Sequence, residues 1–341
     1  MSERIIIRIP NWLGDAIMST AGVRALRRRR PDDAIALVGL PAMLSVFSSP
    51  SCPFELIPYD RRGSESGLPG LLRMSARLRE KRFTRGYLLT NSFSSALLFF
   101  LGRVPHRTGY RGQWRSALLS TALPPPPPDL HHCGRYIHLL NQGQPADLLP
   151  EIRVSPEERE KARQLLEQEN GLGQLRIGMA IGAAYGPAKR WPPELFAALA
   201  RECVRRFAAR ILIFGTESDE AAAAAIVQET GGHAINLTGR TTLRELFALL
   251  QQCRLVVSND SGAMHAAAAV QTPVIALFGS TGPFLTGPLG PQHRVIYKHL
   301  DCSPCFKRTC PLFHYECLKR ITVDEVAGLA GELLNTQRAA P

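Results

Sequence analysis

The chain has 341 residues, of which 45% are hydrophobic, and a formal net charge of +12. This length allows two hydrophobic cores of ordinary domain size. No apolar run approaches the roughly 18 residues of a membrane-spanning helix, and the N-terminal MSERIIIRIP has the pattern of a buried strand where a signal peptide would need its apolar core and cleavage site. We therefore expect a cytoplasmic protein whose eight cysteines are mostly reduced.

The positive charge is concentrated in the first half of the chain. Residues 1–150 contain 20 Lys and Arg against 10 Asp and Glu, whereas residues 151–341 contain 21 against 19. A basic half attracts nucleic acid, an anionic membrane surface or a polyanionic substrate. The alternative is a solvated face that only keeps the protein soluble. The arginines form two groups: Arg24, Arg27, Arg28, Arg29 and Arg30, and then Arg103, Arg107, Arg111 and Arg115.

The first half alternates predicted strands and helices up to a run of five prolines, Pro124 to Pro128, which marks an extended surface connection. Between Ile9 and the first helix lies the turn PNWLGD. The predicted elements are a strand at Ile5 to Ile9, a helix from about Ala16 to Arg30 and a strand at Ala34 to Val38. Helix-like and strand-like pieces continue through Tyr87 to Thr90 and the segment FSSALLFFL, and a helix follows near Gly134 to Gln142.

The second half alternates in the same way, after a charged linker-like segment. Its predicted strands are Leu175 to Ile181, Ile211 to Phe214, Ala234 to Leu237, Arg254 to Val257 and Val274 to Phe278; its helices are Pro193 to Phe207, Ser218 to Glu229, Thr242 to Cys253, one beginning near Met264, and Val323 to Leu334. Two such halves predict an α/β protein with two doubly wound domains facing across a cleft. The boundaries are residues 1–150, a linker with a helix at 151–174, residues 175–322, and a C-terminal helix at 323–341.

Several familiar nucleotide-binding signatures are missing from the sequence. There is no G-x-G-x-x-G after the first strand and no G-x-x-x-x-G-K-[ST], so a dinucleotide or P-loop site loses support. No D-x-D occurs that would hold a metal on a nucleotide diphosphate. Phosphate charge would then be handled by helix ends and basic side chains.

Residues 258–281, SNDSGAMHAAAAVQTPVIALFGST, predict a βαβ unit with a polar tip. A strand ends just before Asp260, an alanine-rich helix follows at once, and a second strand comes after it. Ser261 and Gly262 would place free backbone N–H groups and the positive end of a helix dipole at that tip, which suits a diphosphate. The alternative is that Asp260 and Ser261 are only N-caps.

A basic loop, GAAYGPAKRWP at residues 182–192, follows the first strand of the second half. It would present Lys189 at a strand end that opens into the cleft. A lysine in that position can neutralise a leaving phosphate without a metal. The alternative is a solvated loop lysine.

Two residues are candidates for a general base. Asp15 follows the first strand, with Trp12 as an apolar neighbour, and a carboxylate there can take a proton from an attacking hydroxyl. The alternative for Asp15 is a helix cap. His265, on the alanine-rich helix, is the competing base, and it can equally be a half-buried histidine with its hydrogen bonds satisfied.

Near the C-terminus four cysteines have the spacing C-x2-C-x4-C-x6-C: Cys302, Cys305, Cys310 and Cys317. His314 and the pair His131-His132 are further possible ligands. The leading C-x2-C is typical of a zinc knuckle, but the second half lacks the usual paired spacing. A structural zinc is one interpretation, and free thiols in a loop or a redox-labile bridge are the others.

Together these motifs resemble a known family. IRIPNWLGDAIMSTAGVRAL, GAAYGPAKRWP, LTGRTTLRELFALL and SNDSGAMHAAAAVQTPVIALFGST resemble the ADP-heptose:lipopolysaccharide heptosyltransferases of glycosyltransferase family 9, and most closely their heptosyltransferase II members. The resemblance covers nearly the whole chain. It implies a GT-B fold of two Rossmann-like domains. The implied reaction is inverting, metal-independent transfer of L-glycero-D-manno-heptose from ADP-heptose to the first heptose of the lipopolysaccharide inner core.

The resemblance also implies roles for residues and partners. The basic half would be the acceptor side, at the cytoplasmic face of the inner membrane, and the final helix would cross back to the first domain. The implied site residues are Asp15 as general base, Lys189 on the donor phosphates, and Asp260, Ser261, Gly262 and His265 in the donor-binding block.

Other functions remain open at this stage. The chain can be a heptosyltransferase I or III, or another GT-B enzyme that uses a UDP-sugar. From a different class, it can be a non-catalytic protein that binds a nucleotide-sugar or nucleic acid. Nucleic acid is disfavoured because no stacking-aromatic motif or nucleic-acid module occurs and the aromatic content is only 7%.

Overall fold

The computed structural model describes residues 2–61, 63–112, 114–141, 143, 149–169 and 175–339, with side chains in the last helix described to residue 336. The chain divides into two compact units, Met1–Pro150 and Glu151–Pro341. Within the described ranges, no helix is long and apolar enough to cross a membrane.

The first unit alternates strands with helices along the chain. Its elements are β1 (Arg4–Arg8), α1 (Leu13–Arg29), β2 (Ala34–Gly39), α2 (Pro41–Leu44), β3 (Glu55–Pro58), α3 (Gly67–Glu80), β4 (Arg85–Leu88), α4 (Phe93–Leu101), β5 (His106–Tyr110), β6 (Thr121–Leu123) and α5 (His132–Leu140). The described strands form one parallel sheet in the order β3-β2-β1-β4-β5-β6. Ile5, Ile6 and Ile7 of the central β1 are fully buried, as expected for a parallel strand covered on both faces.

The second unit has the same architecture. Its elements are α6 (Pro156–Gln168), β7 (Arg176–Ala180), α7 (Pro193–Phe207), β8 (Arg210–Phe214), α8 (Glu220–Glu229), β9 (Ala234–Asn236), α9 (Leu243–Gln251), β10 (Leu255–Asn259), α10 (Gly262–Ala269), β11 (Val274–Phe278), α11 (Pro283–Thr286), β12 (Arg294–Tyr297), α12 (Glu316–Lys319) and α13 (Val323–Ala339). The described strands form a parallel sheet in the order β12-β11-β10-β7-β8-β9. The predicted α/β class, with two Rossmann-like sheets, is confirmed.

The final helix packs within the second unit. Val326, Ala327 and Ala330 of α13 are fully buried and belong to the same apolar core as Phe196 and Leu199 of α7. Its apolar face thereby completes the core of the second unit, and the expected return of the helix to the first domain stays a prediction. Parts of three predicted segments lie outside the described residues: Gln142, residues 170–174 of the linker, and residues 340–341.

Candidate functional site

Asp15 lies inside the first turn of α1, because the helix begins at Leu13 and not at Ala16 as predicted. The N-cap position is occupied by Trp12, and no side chain caps the helix there. Asp15 therefore does not act as the N-cap. Its Oδ1 accepts a hydrogen bond from the hydroxyl of Tyr136 at 2.9 Å, and Nδ1 of His132 lies 3.6 Å from the same oxygen. The side chain is 29% exposed, so the carboxylate is both held and accessible.

The close packing of α5 on α1 brings Tyr136 to Asp15. Two turns along α1 from Asp15, on the same face, Gly22 lies against the backbone of Tyr136; a Cβ there would lie 2.8 Å from the carbonyl carbon and oxygen of that residue. Glycine is thus required for this approach. Burial, with the nearby Asp15 carboxylate, raises the pKa of Tyr136 well above its usual value. The tyrosine therefore remains a hydrogen-bond donor at any physiological pH.

The turn that precedes α1 is held by a buried arginine. The guanidinium of Arg8 donates to the carbonyls of Ile9 and Val38, at 3.0 and 3.2 Å, and to Oδ1 of Asn11 at 2.8 Å. Burial lowers the pKa of Arg8 to about 10, which still leaves it charged at neutral pH. Arg8 thereby fixes the loop between β1 and α1, while Trp12 next to it remains about half exposed.

Part of the basic character of the first unit is structural. Arg29 donates to a backbone carbonyl of α5 at 2.8 Å, and Arg24 donates to the carbonyl of residue 149 at 3.0 Å. Arg115 is fully buried, and its guanidinium donates to Oδ1 of Asn91 at 2.9 Å. The four-residue spacing of the second arginine group therefore does not form one uniform basic surface.

In the second unit Lys189 forms a buried ion pair with Asp260. The ammonium group donates to Oδ2 of Asp260, and the hydroxyl of Thr281 donates to the same oxygen at 2.5 Å. The Lys189 side chain is 12% exposed and that of Asp260 is 5% exposed. The three residues follow β7, β10 and β11, which are neighbours in the sheet. Loops after neighbouring parallel strands meet at the carboxyl edge, where α/β folds bind ligands.

The loop that carries Lys189 is anchored on both sides. Oδ1 of Asn259 accepts the backbone N–H of Trp191 at 2.9 Å, and its Nδ2 donates to the carbonyl of Ile181 at 2.7 Å. The indole of Trp191 is buried and donates to the carbonyl of Ile321 at 3.1 Å. Trp191, two residues after Lys189, therefore fixes the end of the loop. Lys189 is not the solvated loop lysine of the alternative interpretation.

The start of α10 has the predicted geometry. Ser261 is the N-cap residue and Gly262 is the first residue of the helix. No side chain caps α10, so Asp260 and Ser261 do not serve simply as caps. His265 is only 7% exposed on the same helix. The structure thus brings Lys189 and Asp260 into direct contact beside Ser261 and Gly262, while Asp15 belongs to the other unit.

The cysteine segment is the predicted site of a structural zinc. All eight cysteines are free thiols. Burial, and then the proximity of Cys302, Cys310 and Cys305, raise the pKa of Cys317 to about 11. In the described part of the chain, no group of three or more His, Cys, Asp or Glu side chains is arranged to hold a metal ion. A structural zinc stays a prediction from the spacing alone, which metal analysis of undialysed protein would test.

Most of the chain matches a known family. Residues 71–316 match the model described as Glycosyltransferase family 9 (heptosyltransferase). The chain belongs to this family. The lipopolysaccharide heptosyltransferase 2 of Salmonella typhimurium is 34% identical over 310 residues, which are 86% of this chain and 87% of the relative. This degree of identity over nearly the whole length makes the chain a glycosyltransferase of family 9.

Solved structures agree with this assignment. The chain of the E. coli ADP-heptose lps heptosyltransferase II structure is 30% identical, with a TM-score of 0.83, and the match covers 98% of this chain and all of that one. A glycosyltransferase family 9 structure from Veillonella parvula has a TM-score of 0.90 at 26% identity, with 98% of each chain covered. The matches extend over both sheets of this family 9 glycosyltransferase.

Two of the contacts described above were not predicted from the sequence. Thr281 stands in the loop GSTGP after β11, so the rule that neighbouring strand ends converge could have located it once the strand order was known. Tyr136 had no signal of its own, because its contact with Asp15 depends on how α5 packs on α1. His131 and His132 were named from the sequence only as further possible metal ligands, and in the structure His132 lies beside Asp15.

Proposed function

We propose that this family 9 glycosyltransferase transfers L-glycero-D-manno-heptose from ADP-heptose to the first heptose of the lipopolysaccharide inner core. The observation that carries the proposal is the buried pair of Lys189 and Asp260 at the carboxyl edge of the second sheet, beside the start of α10. Its support is the similarity over most of the chain to relatives named lipopolysaccharide heptosyltransferase 2, from Salmonella typhimurium and E. coli.

The proposed reaction is a single displacement at the anomeric carbon of the heptose. The acceptor hydroxyl oxygen forms the new bond, the bond from the anomeric carbon to the donor phosphate breaks, and ADP leaves with the electron pair, so the anomeric centre inverts. Asp15 takes the proton from the acceptor hydroxyl. Lys189 and the backbone N–H groups at Ser261 and Gly262 stabilise the negative charge that develops on ADP.

We propose that catalysis needs no metal ion. Two features of the chain support this. The sequence has no D-x-D to hold a divalent cation on a diphosphate, and the ammonium of Lys189 lies next to the start of α10, where it can donate to phosphate oxygens. The test is transfer activity in the presence of a chelator, and dependence on added magnesium or manganese would contradict it.

The test of the function is a mass-spectrometric transfer assay with ADP-heptose. Two acceptors are compared: Kdo2-lipid A alone and Kdo2-lipid A that already carries one heptose. Addition of one heptose only to the second acceptor is the expected result. Addition only to the bare acceptor would mean that the chain acts as a heptosyltransferase I. Transfer to neither acceptor by folded protein would overturn the proposed substrate.

The proposed acceptor side is the first unit, at an anionic membrane surface. Its net charge supports this, as do large apolar side chains exposed there: Leu68, Leu72, Phe100 and Trp114. Arg103 and Arg111 are exposed basic residues of the same unit, and such residues attract anionic lipid. Cosedimentation with phosphatidylglycerol-containing vesicles, but not with pure phosphatidylcholine vesicles, is the expected result. Equal recovery with both would contradict it.

A further inference from the structure

The cysteine segment, residues 302–317, has no part in the function proposed above, yet it is joined to both loops of the donor site. The backbone N–H of Phe306 donates to the carbonyl of Ser280 at 2.7 Å, next to Thr281. The carbonyl of Arg308 accepts the N–H of Ala188 at 3.0 Å, next to Lys189. The segment therefore packs against both loops at the sheet edge where Lys189 contacts Asp260.

The approach of this segment to the lysine loop depends on Gly186. Its φ of +151° is one that L side chains rarely adopt, and a Cβ would lie 2.5 Å from the carbonyl oxygen of Arg308. The hydroxyl of Tyr185 also donates to the carbonyl of Phe306 at 2.8 Å. The backbone at Arg308 is thus held against the loop at two adjacent points.

The ring of Tyr185 makes cation–π contacts with two residues, one in its own loop and one in the cysteine segment. Nζ of Lys189 lies 4.8 Å from the centre of the Tyr185 ring, and Cζ of Arg308 lies 5.5 Å from it. Both distances are within the range of a cation–π contact. The Tyr185 ring is therefore in contact with both cations and links Arg308 to the loop that carries Lys189.

The two cations differ in how their charge is balanced. Lys189 is paired with Asp260, so the pair together contributes no net charge. Arg308 is exposed, and no acidic side chain in the described ranges forms an ion pair with it. A leaving nucleoside diphosphate carries at least two negative charges. A neutral pair and the start of one helix leave most of that charge uncompensated, and an unpaired guanidinium is well suited to bind phosphate oxygens.

We propose that Arg308, positioned by the cysteine segment and the ring of Tyr185, binds the phosphates of a nucleoside diphosphate at the donor site. The inference rests on the proposed function, since it takes the donor to be an ADP-sugar. It gives the cysteine segment a role as the support of a phosphate-binding arginine.

The test is calorimetric titration of ADP into the full-length protein and three variants. Arg308→Ala is expected to weaken ADP binding about tenfold or more, as for loss of a charge-assisted hydrogen bond. Lys307→Ala is the matched control, because it removes the same charge from the adjacent exposed position; it is expected to change the affinity by about twofold at most. Arg308→Lys, which keeps the charge without the planar fork, is expected to lie between them.

A second readout separates a phosphate contact from a general loss of structure. The dependence of ADP affinity on salt concentration should be weaker in Arg308→Ala than in the wild type, and thermal unfolding should be unaltered. Equal affinities for Arg308→Ala and Lys307→Ala, with a wild type that binds ADP and transfers heptose, would overturn only the role of Arg308. A wild-type protein that does not bind ADP would overturn the proposed function as well.

Discussion

The hydroxyl of Tyr136 donates a hydrogen bond to Oδ1 of Asp15 across 2.9 Å, between residues 121 positions apart in the sequence. The bond joins α5 to the first turn of α1, and burial keeps the tyrosine protonated. A carboxylate that acts as a base must present an oxygen in a fixed direction to the hydroxyl it deprotonates. Tyr136 restricts the rotation of the Asp15 side chain and so contributes that direction.

Replacement of Asp15 by Asn tests the general base directly. Asparagine has nearly the same shape and can still accept the Tyr136 hydrogen bond, but it cannot take up a proton. Turnover is expected to fall about 10²- to 10⁴-fold, while ADP affinity measured by calorimetry stays within about twofold because the substitution leaves Lys189 and Asp260 unchanged. Turnover within about tenfold of wild type would rule out the base.

Replacement of Tyr136 by Phe removes only the hydroxyl that holds Asp15. We expect kcat to fall about tenfold, the cost of one hydrogen bond to a charged group, with KM for the acceptor unaltered. Tyr110→Phe is the matched control, because its hydroxyl bonds to the carbonyl of Arg135 on the same helix at 2.7 Å. A similar loss of kcat in both variants, or a parallel rise in KM, would show that the hydroxyl acts through the stability of α5.

The contact of α5 with α1 can be tested through glycine. In Gly22→Ala the new Cβ would lie 2.8 Å from the Tyr136 carbonyl, so α5 must move, and overpacking of this kind costs about 1–3 kcal/mol. Gly328→Ala is the control, because a Cβ there meets no atom within 4 Å and removal of a helical glycine stabilises by about 0.5–1 kcal/mol. Urea unfolding should therefore give a lower free energy of unfolding than wild type for Gly22→Ala and a higher one for Gly328→Ala. If both variants were more stable than wild type, α5 would move away from the new Cβ without a loss of stability.

The two loops that carry Lys189 and Asp260 were predictable from the sequence, because apolar strands followed at once by polar tips mark the carboxyl edge of a parallel sheet. β7, β10 and β11 are fully or nearly fully buried runs, so their ends were readily located. Lys189 and Asp260 were each expected at that edge. Their direct pairing was not, since it depends on the strand order β11-β10-β7.

The remaining features depend on packing that no local pattern records. β3, β6 and β12 have only three or four residues each and are partly exposed, so they lack a run long enough to identify. The start of α1 at Leu13 has no capping side chain, which is why Asp15 resembled a cap in the sequence. The packing of the final helix was also not predictable, because an amphipathic pattern shows that one face is buried and not which core buries it.

Replacement of Lys189 separates its structural role from its binding role. Lys189→Met leaves the Asp260 carboxylate, which is 5% exposed, without its cation, and breaking such a pair costs about 3–5 kcal/mol of stability. We expect ADP affinity to fall about tenfold or more. The double variant Lys189→Met/Asp260→Asn should recover most of the stability, measured by urea unfolding, but none of the affinity. Recovery of both would mean that Lys189 supports the loop without binding phosphate.

The pH dependence of stability should carry a contribution from His293. This side chain is 7% exposed, and its Nδ1 accepts the N–H of Val274, the first residue of β11, at 3.2 Å. Burial lowers the pKa of His293 from 6.5 to about 4. The unfolded chain therefore binds this proton at higher pH than the folded protein does. The contribution is complete above about pH 6.5 and is lost as the pH falls towards 4.

The size of this contribution is about 3 kcal/mol between pH 7 and pH 4. Acidic residues titrate in the same range, so the measurement is the difference in free energy of unfolding between wild type and His293→Gln at each pH. That difference should shrink steadily as the pH falls. For the control His233→Gln, at an exposed position, the difference in free energy of unfolding from wild type should be the same at every pH. A difference for His293→Gln that does not change with pH would show that the imidazole already gains its proton without disturbing the start of β11.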